Sequence, residues 1–341
     1  MRAAMRRAPL ALVSIALSGT AFGVASAGAQ EPASTPVPST PVPPAPAPAP
    51  VTAQLSVALQ RANGARVVVV AGDRFVVRGT VTPYVAGQQV VVRLYRDQHK
   101  LASKAVTVKP DATGANGMFV MGLSTRTAGR VTVRASHRAT PQLATMVAKP
   151  VALDVLPVAL RDGARGAPVR VVQRRLAALG YVTGEAGLFD ARTQRAVLAF
   201  RKVTGLARNT TVDRTFAGRL AQGQGAFPVR YPSHGKHVEA DLSLQVLALI
   251  RAGKVERIYP ISSGAPVTPT VLGSFRVYLR TPGTNTKGMV YSSYFIRGYA
   301  IHGYASVPVF AASHGCLRVP VPDAVPIFEW LSYGDRVDVY P

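Results

Sequence analysis

Residues 299–319 read YAIHGYASVPVFAASHGCLRV, and this stretch decides how the C-terminal part of the chain is interpreted. It places Cys316, the only cysteine among 341 residues, directly after Ser313-His314-Gly315, with a second histidine, His302, upstream on an apolar strand. An imidazole that accepts the thiol proton generates the thiolate that attacks carbonyls. A glycine beside the thiol lets main-chain N–H groups approach an oxyanion. The residues themselves therefore favour a Cys–His nucleophilic site at a strand edge.

The lone cysteine has two other interpretations. A structural Cys could be buried in any apolar strand. A zinc site made by His302, His314 and Cys316 would need a fourth ligand or a bound water, and no suitable carboxylate lies near them in the sequence. A single Cys cannot form an intrachain disulfide or a Cys-rich metal cluster.

The same stretch resembles the signature of the L,D-transpeptidase (YkuD-type) catalytic domain. That signature is a His-Gly or His-Ser pair followed by Ser/Thr-His-Gly-Cys, a hydrophobic residue and Arg or Asn, and His302-Gly303 and residues 313–318 match it. Upstream, VEADLSLQVLALIRAGKVERIYPISSG and TPTVLGSFRVY are also similar to the family. The chain departs from the pattern at residues 271–273, where Pro-Thr-Gly is commoner, and in a short spacing from the histidine to the serine, which could reshape the loop over the thiol.

The resemblance implies a role for each matching residue. Cys316 would be the nucleophile, His302 the base that activates it and later protonates the leaving amine, and Gly303 the carbonyl that orients the imidazole. The oxyanion and substrate contacts would come from His314, Gly315, Ser313, Arg318, Tyr294 and Tyr291, the two tyrosines being placed in the donor groove by position alone. No metal or cofactor is implied.

Three functions are compatible with this resemblance. The first is an L,D-transpeptidase that releases D-alanine from peptidoglycan stem peptides, passes through a thioester and forms 3→3 cross-links, with carbapenem-type β-lactams acylating Cys316. The second is an L,D-carboxypeptidase in which water resolves the same thioester. The third is a non-catalytic wall-binding or adhesive protein. The sequence leaves the acyl acceptor and the oligomeric state open.

Residues 226–341 are expected to form this β-dominated catalytic domain. Strands are expected at 238–242, 245–250 and 255–262, and Phe275, Val277 and Leu279 alternate in a further strand. One helix is expected from about Asp323 to Leu331, before a last strand at 336–340. His234 and His237 lie in a polar entry loop and are expected to be solvated.

Residues 158–222 change to helical spacing. Pro168 and Asp190 mark two helix starts, Asp213 marks a third, and Gly180 and Gly205 mark ends. The order of these elements resembles the peptidoglycan-binding domain (type 1), which implies peptidoglycan stem peptides and glycan as partners. A helical linker domain without a ligand is the alternative, because a fold does not determine a function.

Residues 53–157 have short alternating segments with turn residues between them, such as residues 71–73 and Asn116-Gly117. Period two and about seven strands predict an all-β sandwich of immunoglobulin-like type. Three folded segments therefore follow one another. The predicted fold class is multidomain, with an immunoglobulin-like sandwich, a small three-helix domain and a β-dominated catalytic domain.

The N-terminal 52 residues are read as export and spacer segments. Residues 1–29 combine early arginines, a short apolar run and small residues, which is typical of a signal peptide. An uncleaved membrane anchor is the alternative, and both interpretations place the remainder in the periplasm or cell wall. Residues 30–52 are rich in proline and predict an extended linker.

The net charge of +24 predicts an anionic partner, which could be nucleic acid, anionic lipid or an anionic wall. No base-reading module is recognised, and aromatic residues are not interleaved with basic ones, so we expect no nucleic-acid partner.

Overall fold

The computed structural model describes residues 49–60 and 68–341. The predicted signal peptide and most of the proline-rich linker lie outside these residues. Within the described ranges, no helix is both long and apolar enough to cross a membrane.

The first part of the described chain, called the β region below (residues 49–156), consists of strands. They are β1 (Gln54–Gln60), β2 (Val68–Val70), β3 (Arg74–Thr82), β4 (Gln89–Arg96), β5 (His99–Thr107), β6 (Lys109–Pro110), β7 (Gly117–Ser124), β8 (Gly129–His137), β9 (Met146–Val147) and β10 (Val151–Leu156). One sheet has the order β1-β3-β7-β6, and the second has the order β2-β10-β8-β4-β5 with β9 paired to β8. The alternating side chains such as Val77, Val92 and Val133 are fully buried between strands. The immunoglobulin-like assignment stays a prediction.

The next part, called the helical region (residues 157–222), contains α1 (Ala167–Ala177), α2 (Ala191–Val203) and α3 (Arg214–Ala221). The carboxylate of Asp190 accepts a hydrogen bond from the N–H of Thr193 at 2.7 Å, and that of Asp213 accepts one from Phe216 at 2.7 Å. Both therefore cap helices by satisfying N–H groups of the first turn.

The C-terminal region (residues 223–341) returns to strands. They are β11 (His237–Asp241), β12 (Val246–Arg251), β13 (Lys254–Pro260), β14 (Gly273–Arg276), β15 (Leu279–Thr284), β16 (Val290–Ile296), β17 (Tyr299–Tyr304), β18 (Leu317–Pro320) and β19 (Arg336–Tyr340), with α4 (Val321–Trp330) before the last. One sheet has the order β13-β12-β11-β19-β14 and the other β15-β16-β17-β18. Side chains of both sheets and α4 enclose a core that includes Ile301, Leu317 and Val319.

The single strand predicted through Phe275, Val277 and Leu279 is wrong. Phe275 belongs to β14 in one sheet, whereas Leu279 begins β15 in the other. Between them Val277 is buried and its N–H donates to the carbonyl of Asp335 at 2.9 Å. Leu279 is exposed although it continues the apolar spacing of Phe275 and Val277, so periodicity alone does not reveal the change of sheet.

The prediction that His234 and His237 are solvated is also wrong. The side chain of His237 is completely buried, and its Nε2 lies 3.1 Å from Oε1 of Glu239. His234 is half-buried, with Nδ1 2.9 Å from a carboxylate oxygen of Asp338. Asp338 lies opposite Glu239 because β11 and β19 pair in parallel, a contact between residues about a hundred positions apart.

Candidate active site

Two paired strands bring the predicted catalytic residues to one face of a sheet. β17 and β18 are parallel, with Ile301 opposite Leu317 and His302 opposite Arg318. Because side chains alternate, His302 and Arg318 lie on the face opposite the buried Ile301. Cys316 lies directly before β18 and two residues before Arg318, so continued alternation predicts that it shares the face of His302.

The two glycines of the motif are required by close packing. A Cβ added to Gly303 would lie 2.8 Å from Cβ of Ala324, so α4 packs directly on β17 at this position. Gly315 has φ 112°, which disfavours any residue with a Cβ, and a Cβ there would overlap the ring of Tyr299. Both glycines therefore let neighbouring elements approach the histidine and the cysteine.

The imidazole of His302 is held in one orientation. Its side chain is buried, and Nδ1 lies 2.9 Å from the carbonyl oxygen of Gly303. A carbonyl only accepts hydrogen bonds, so Nδ1 carries the proton and the lone pair is on Nε2. Burial lowers the pKa of His302 and the positive charge of Arg318 lowers it further, against the opposing effect of the Gly303 carbonyl. The neutral form of this histidine is able to accept a proton.

The thiol of Cys316 is half-buried, and its Sγ lies 3.6 Å from the carbonyl oxygen of Gly298. Burial raises the pKa of the Cys316 thiol, while a backbone hydrogen bond and the positive charges of Arg318 and Lys287 act in the opposite direction. The resting thiol therefore remains protonated at neutral pH and requires a base before it can act as a nucleophile.

Ser313 shapes the loop that carries the cysteine. Its buried hydroxyl donates to the carbonyl of Cys316 at 2.6 Å and accepts from the N–H of Gly315 at 3.0 Å. The N–H of Gly315, predicted to face an oxyanion, is thus already bonded inside the loop. The side chain of His314 is exposed.

Arg318 makes an aromatic contact that the sequence analysis missed. Its guanidinium lies 4.1 Å from the ring centroid of Tyr304, and the Tyr304 ring is 5.8 Å from that of His302. Tyr304 follows His302 by two positions on the same strand, so the alternation of side chains could have placed it at the site.

The two tyrosines predicted to line the donor groove lie on opposite faces of the sheet. Tyr294 pairs with Ala300, which is on the face of His302. Tyr291 instead packs edge-on against Phe328 of α4, at 5.2 Å between ring centroids, and its assignment to the donor groove stays a prediction. The register between β16 and β17 shifts between Val290 and Ser293, and Tyr291 has φ 50°. This bulge breaks the alternation on which positions are assigned to a face.

The turn between β15 and β16 (residues 285–289) reaches the same face. The side-chain oxygen of Asn285 accepts from the N–H groups of Lys287 and Met289, both at 3.0 Å, which closes the turn. A Cβ on Gly288 would lie 3.6 Å from the ring of Tyr304. The turn therefore approaches the site and brings the charge of Lys287 within range of the thiol.

Among the described residues, no three His, Cys, Asp or Glu side chains are grouped so that they could hold a metal ion. The zinc interpretation of His302, His314 and Cys316 therefore has no geometric support in that part of the chain.

Comparison with protein families identifies two segments. Residues 235–339 match the L,D-transpeptidase catalytic domain, and residues 165–219 match a peptidoglycan-binding domain. No curated protein matches the chain.

Comparison with solved structures finds the L,D-transpeptidase of Xylanimonas cellulosilytica, 35% identical with a TM-score of 0.50, covering 54% of this chain and 98% of that one. An L,D-transpeptidase from Stackebrandtia nassauensis is 19% identical with a TM-score of 0.34, covering 54% of this chain and 96% of that one. The catalytic domain of an E. faecium L,D-transpeptidase is 27% identical with a TM-score of 0.28, covering 31% and 98%. Of these three structures, only that of the Xylanimonas cellulosilytica enzyme is similar enough to support the family assignment.

Proposed function

The chain belongs to the L,D-transpeptidase family, and we propose that it uses Cys316 to form 3→3 cross-links in peptidoglycan. The matched domains imply a peptidoglycan substrate and a location in the cell envelope. The observation that carries the proposal is the parallel pairing that sets His302 opposite Arg318, two residues after Cys316, with Nδ1 of His302 bound to the Gly303 carbonyl.

The first half-reaction transfers an acyl group to the enzyme. Nε2 of His302 accepts the thiol proton, and Sγ of Cys316 attacks the carbonyl carbon of the third stem residue, which we take to be diaminopimelate. The C–N bond to the terminal D-alanine breaks, and the proton on His302 passes to the departing amine. D-alanine leaves and a thioester remains on Cys316.

The second half-reaction forms the cross-link. The side-chain amine of a neighbouring stem attacks the thioester carbonyl, and His302 accepts a proton from that amine. The C–S bond then breaks, and the sulfur is reprotonated from His302. Water in place of the amine gives the L,D-carboxypeptidase reaction at the same residues.

The oxyanion of each tetrahedral intermediate needs hydrogen-bond donors. We assign this role to the N–H groups of His314 and Cys316 and leave out Gly315, because its N–H is bonded to Ser313. We place Tyr304 and Tyr294 beside the donor stem because they share the face of His302. Arg318 supports the site through its charge near both reacting groups.

Product analysis tests the proposal. Purified protein is incubated with disaccharide-tetrapeptide, and dimers and free D-alanine are measured by mass spectrometry. The wild type and His99→Ala, which changes an exposed histidine of β5, should give both products. Cys316→Ala should give neither, and equal product from that variant refutes the assignment. D-alanine without dimers would favour the carboxypeptidase, and acylation of Cys316 by a carbapenem is expected in either case.

Most of the positive charge lies outside the C-terminal region. The segments 51–157 and 158–222 carry net charges of +10 and +8, whereas 223–341 carries +4. We propose that the first two segments hold an exported enzyme on an anionic envelope, so binding to insoluble peptidoglycan should weaken as salt rises. Salt-insensitive binding would count against this role of charge. The competing proposal is a non-catalytic wall-binding or adhesive protein, and wall binding with an inert Cys316 thiol would favour it.

A further inference from the structure

A lysine of the helical region is buried against the C-terminal region. Lys202, near the end of α2, is 3% exposed, and its Nζ donates to the carbonyl oxygens of Gln245 and Ile261, both at 3.0 Å. Buried lysines are rare unless they are paired. Burial, with a smaller contribution from the charge of Arg208, lowers the pKa of Lys202 to about 7. A neutral amine still has two N–H donors, which matches the two carbonyl acceptors.

The two residues that Lys202 binds are the same residues that hold Ser263. The side chain of Gln245 donates to the hydroxyl of Ser263 at 2.6 Å and accepts from its N–H at 2.9 Å. Ile261 is two residues before Ser263 and has its own N–H bonded to the carbonyl of Gln245 at 3.0 Å. Lys202 therefore fixes a small, closed hydrogen-bonded unit.

This unit supports the loop of the nucleophile from behind. The carbonyl of Ser263 accepts from the N–H groups of Ala312 at 2.9 Å and Ser313 at 2.8 Å. The N–H and carbonyl of Ser262 both bond to Arg318, each at 3.0 Å. Residues on both sides of Cys316 are thus attached to the segment that Lys202 holds.

The helical region also reaches the residues behind His302. Arg195 of α2 binds the buried carboxylate of Asp323 with two hydrogen bonds of 2.6 and 2.8 Å. Asp323 precedes Ala324, which packs against Gly303. A third basic side chain, Arg208, donates to the carbonyl of Val309 in the chain leading to Ser313.

We propose that Lys202 is a positioning residue that holds the Cys316 loop in its reactive geometry, so that the helical region is part of the active-site scaffold. The role as a positioning residue for catalysis rests on the proposed function. The mechanical part of the claim concerns only the loop and can be tested without any substrate.

The test uses the full-length protein with Lys202→Met, which keeps the side-chain length and removes the donors. Hydrogen exchange of residues 309–318 and the rate of alkylation of Cys316 by iodoacetamide at several pH values are measured well below the melting temperature. Opening of the loop should raise exchange of the Ala312 and Ser313 amides about tenfold or more. Opening of the loop should also expose the thiol, whose pKa is raised by burial, so alkylation at pH 7 should become roughly fivefold faster or more and its pH profile should move downward.

Arg174→Met is the matched control. Arg174 lies in α1 and pairs with Asp154 of the β region, and Asp154 keeps Arg175 at 2.9 Å when Arg174 is removed. This variant should stay within about twofold of the wild type in both measurements, since Arg174 is exposed and the buried Asp154 keeps its bonds to Arg175. If Lys202→Met does not fold, Lys202→Gln takes its place, because its shorter amide cannot reach both carbonyls.

The outcomes are distinct. A lower melting temperature with unchanged exchange and alkylation would make Lys202 merely structural and overturn the proposal. Slower alkylation would overturn it as well, because loss of the lysine would then not have opened the loop around the thiol. Cross-linking by Cys316→Ala would refute the proposed function while leaving the exchange result for Lys202 standing.

Discussion

At the scale of single residues, the reactivity of the site depends on two groups whose ionisation is set by burial. Burial lowers the pKa of His302 and raises that of the Cys316 thiol, which favours a neutral imidazole beside a protonated thiol. A permanent thiolate–imidazolium pair would be different. There, positive charge beside the sulfur would have to lower the pKa of the thiol by more than burial raises it.

The pH dependence of acylation follows from the lowered pKa of His302. The base must be neutral, so activity should persist as the pH falls through 6.5 and decline only below it. Arg318→Met removes a positive charge that lowers this pKa, and the acid limb should then move to higher pH. Rates of Cys316 acylation from pH 4.5 to 8 give the midpoint; a wild-type midpoint above 6.5 would contradict the account.

Gly315 should not tolerate a side chain. Gly315→Ala combines a positive φ with an overlap on Tyr299, and we expect a loss of about 1–3 kcal/mol in the free energy of unfolding. Gly218→Ala is the control, because Gly218 lies in α3 with open space around its Cβ, and a gain of roughly 0.5–1 kcal/mol is expected there. Urea unfolding measures both. Equal stability of the Gly315 variant and the wild type would contradict the packing described.

At the scale of secondary structure elements, the features that the sequence predicts correctly are those that depend on neighbouring residues in the chain. The caps at Asp190 and Asp213 and the final strand follow from contiguous residues. The bulge at Tyr291 and the change of sheet at Val277 could not be predicted, because each depends on which distant strand is the partner. The same reason hides the burial of His237, whose environment is set by the pairing of β11 with β19.

The His237–Glu239 pair should make stability depend on pH. Burial alone would lower the pKa of His237, but hydrogen bonds to Glu239 and the Gly235 carbonyl and nearby negative charge raise it. A raised pKa means that this contribution is complete below the unfolded value of 6.5 and is lost as the pH rises through the folded value. Burial would also raise the pKa of Glu239, but its hydrogen bonds lower it, so its own contribution is lost in acid.

His237→Gln tests this contribution. The unfolding free energy of the wild type, relative to that of the variant, should decrease as the pH rises above 6.5. Chemical unfolding at several pH values gives the difference. A difference that does not change with pH would mean that His237 is neutral throughout and that its bond to Glu239 is an uncharged one.

At the scale of the whole molecule, the helical and C-terminal regions share one hydrophobic core. Phe200 and Phe216 of the helices belong to the same buried cluster as Val246, Ala248 and Ile250 of β12. The sequence predicts separate domains at residues 158–222 and 226–341, and their family resemblances give no sign of this common core. Lys202, Arg195 and Arg208 add polar contacts across the same boundary.

Truncation should reveal this dependence. A chain of residues 226–341 would expose the apolar face of β12 to water and should be poorly soluble or unfolded. Residues 158–341 retain most of the shared core and lose only its members from the β region, Val70 and Leu156. Circular dichroism and thermal unfolding of the two fragments measure the difference. If the fragment 226–341 unfolded cooperatively at the same melting temperature as the fragment 158–341, that result would contradict the shared core.

The proposed acylation depends on the sulfur of Cys316 as the nucleophile and on His302 as the base. After incubation with disaccharide-tetrapeptide and rapid quenching, mass spectrometry of the digested protein should find the disaccharide-tripeptide acyl group on the peptide that contains Cys316. The His302→Ala protein should fold normally and acquire this adduct at least about 100-fold more slowly, as expected for loss of a general base. An adduct on any other residue, or one that forms at the normal rate in His302→Ala, would contradict the account.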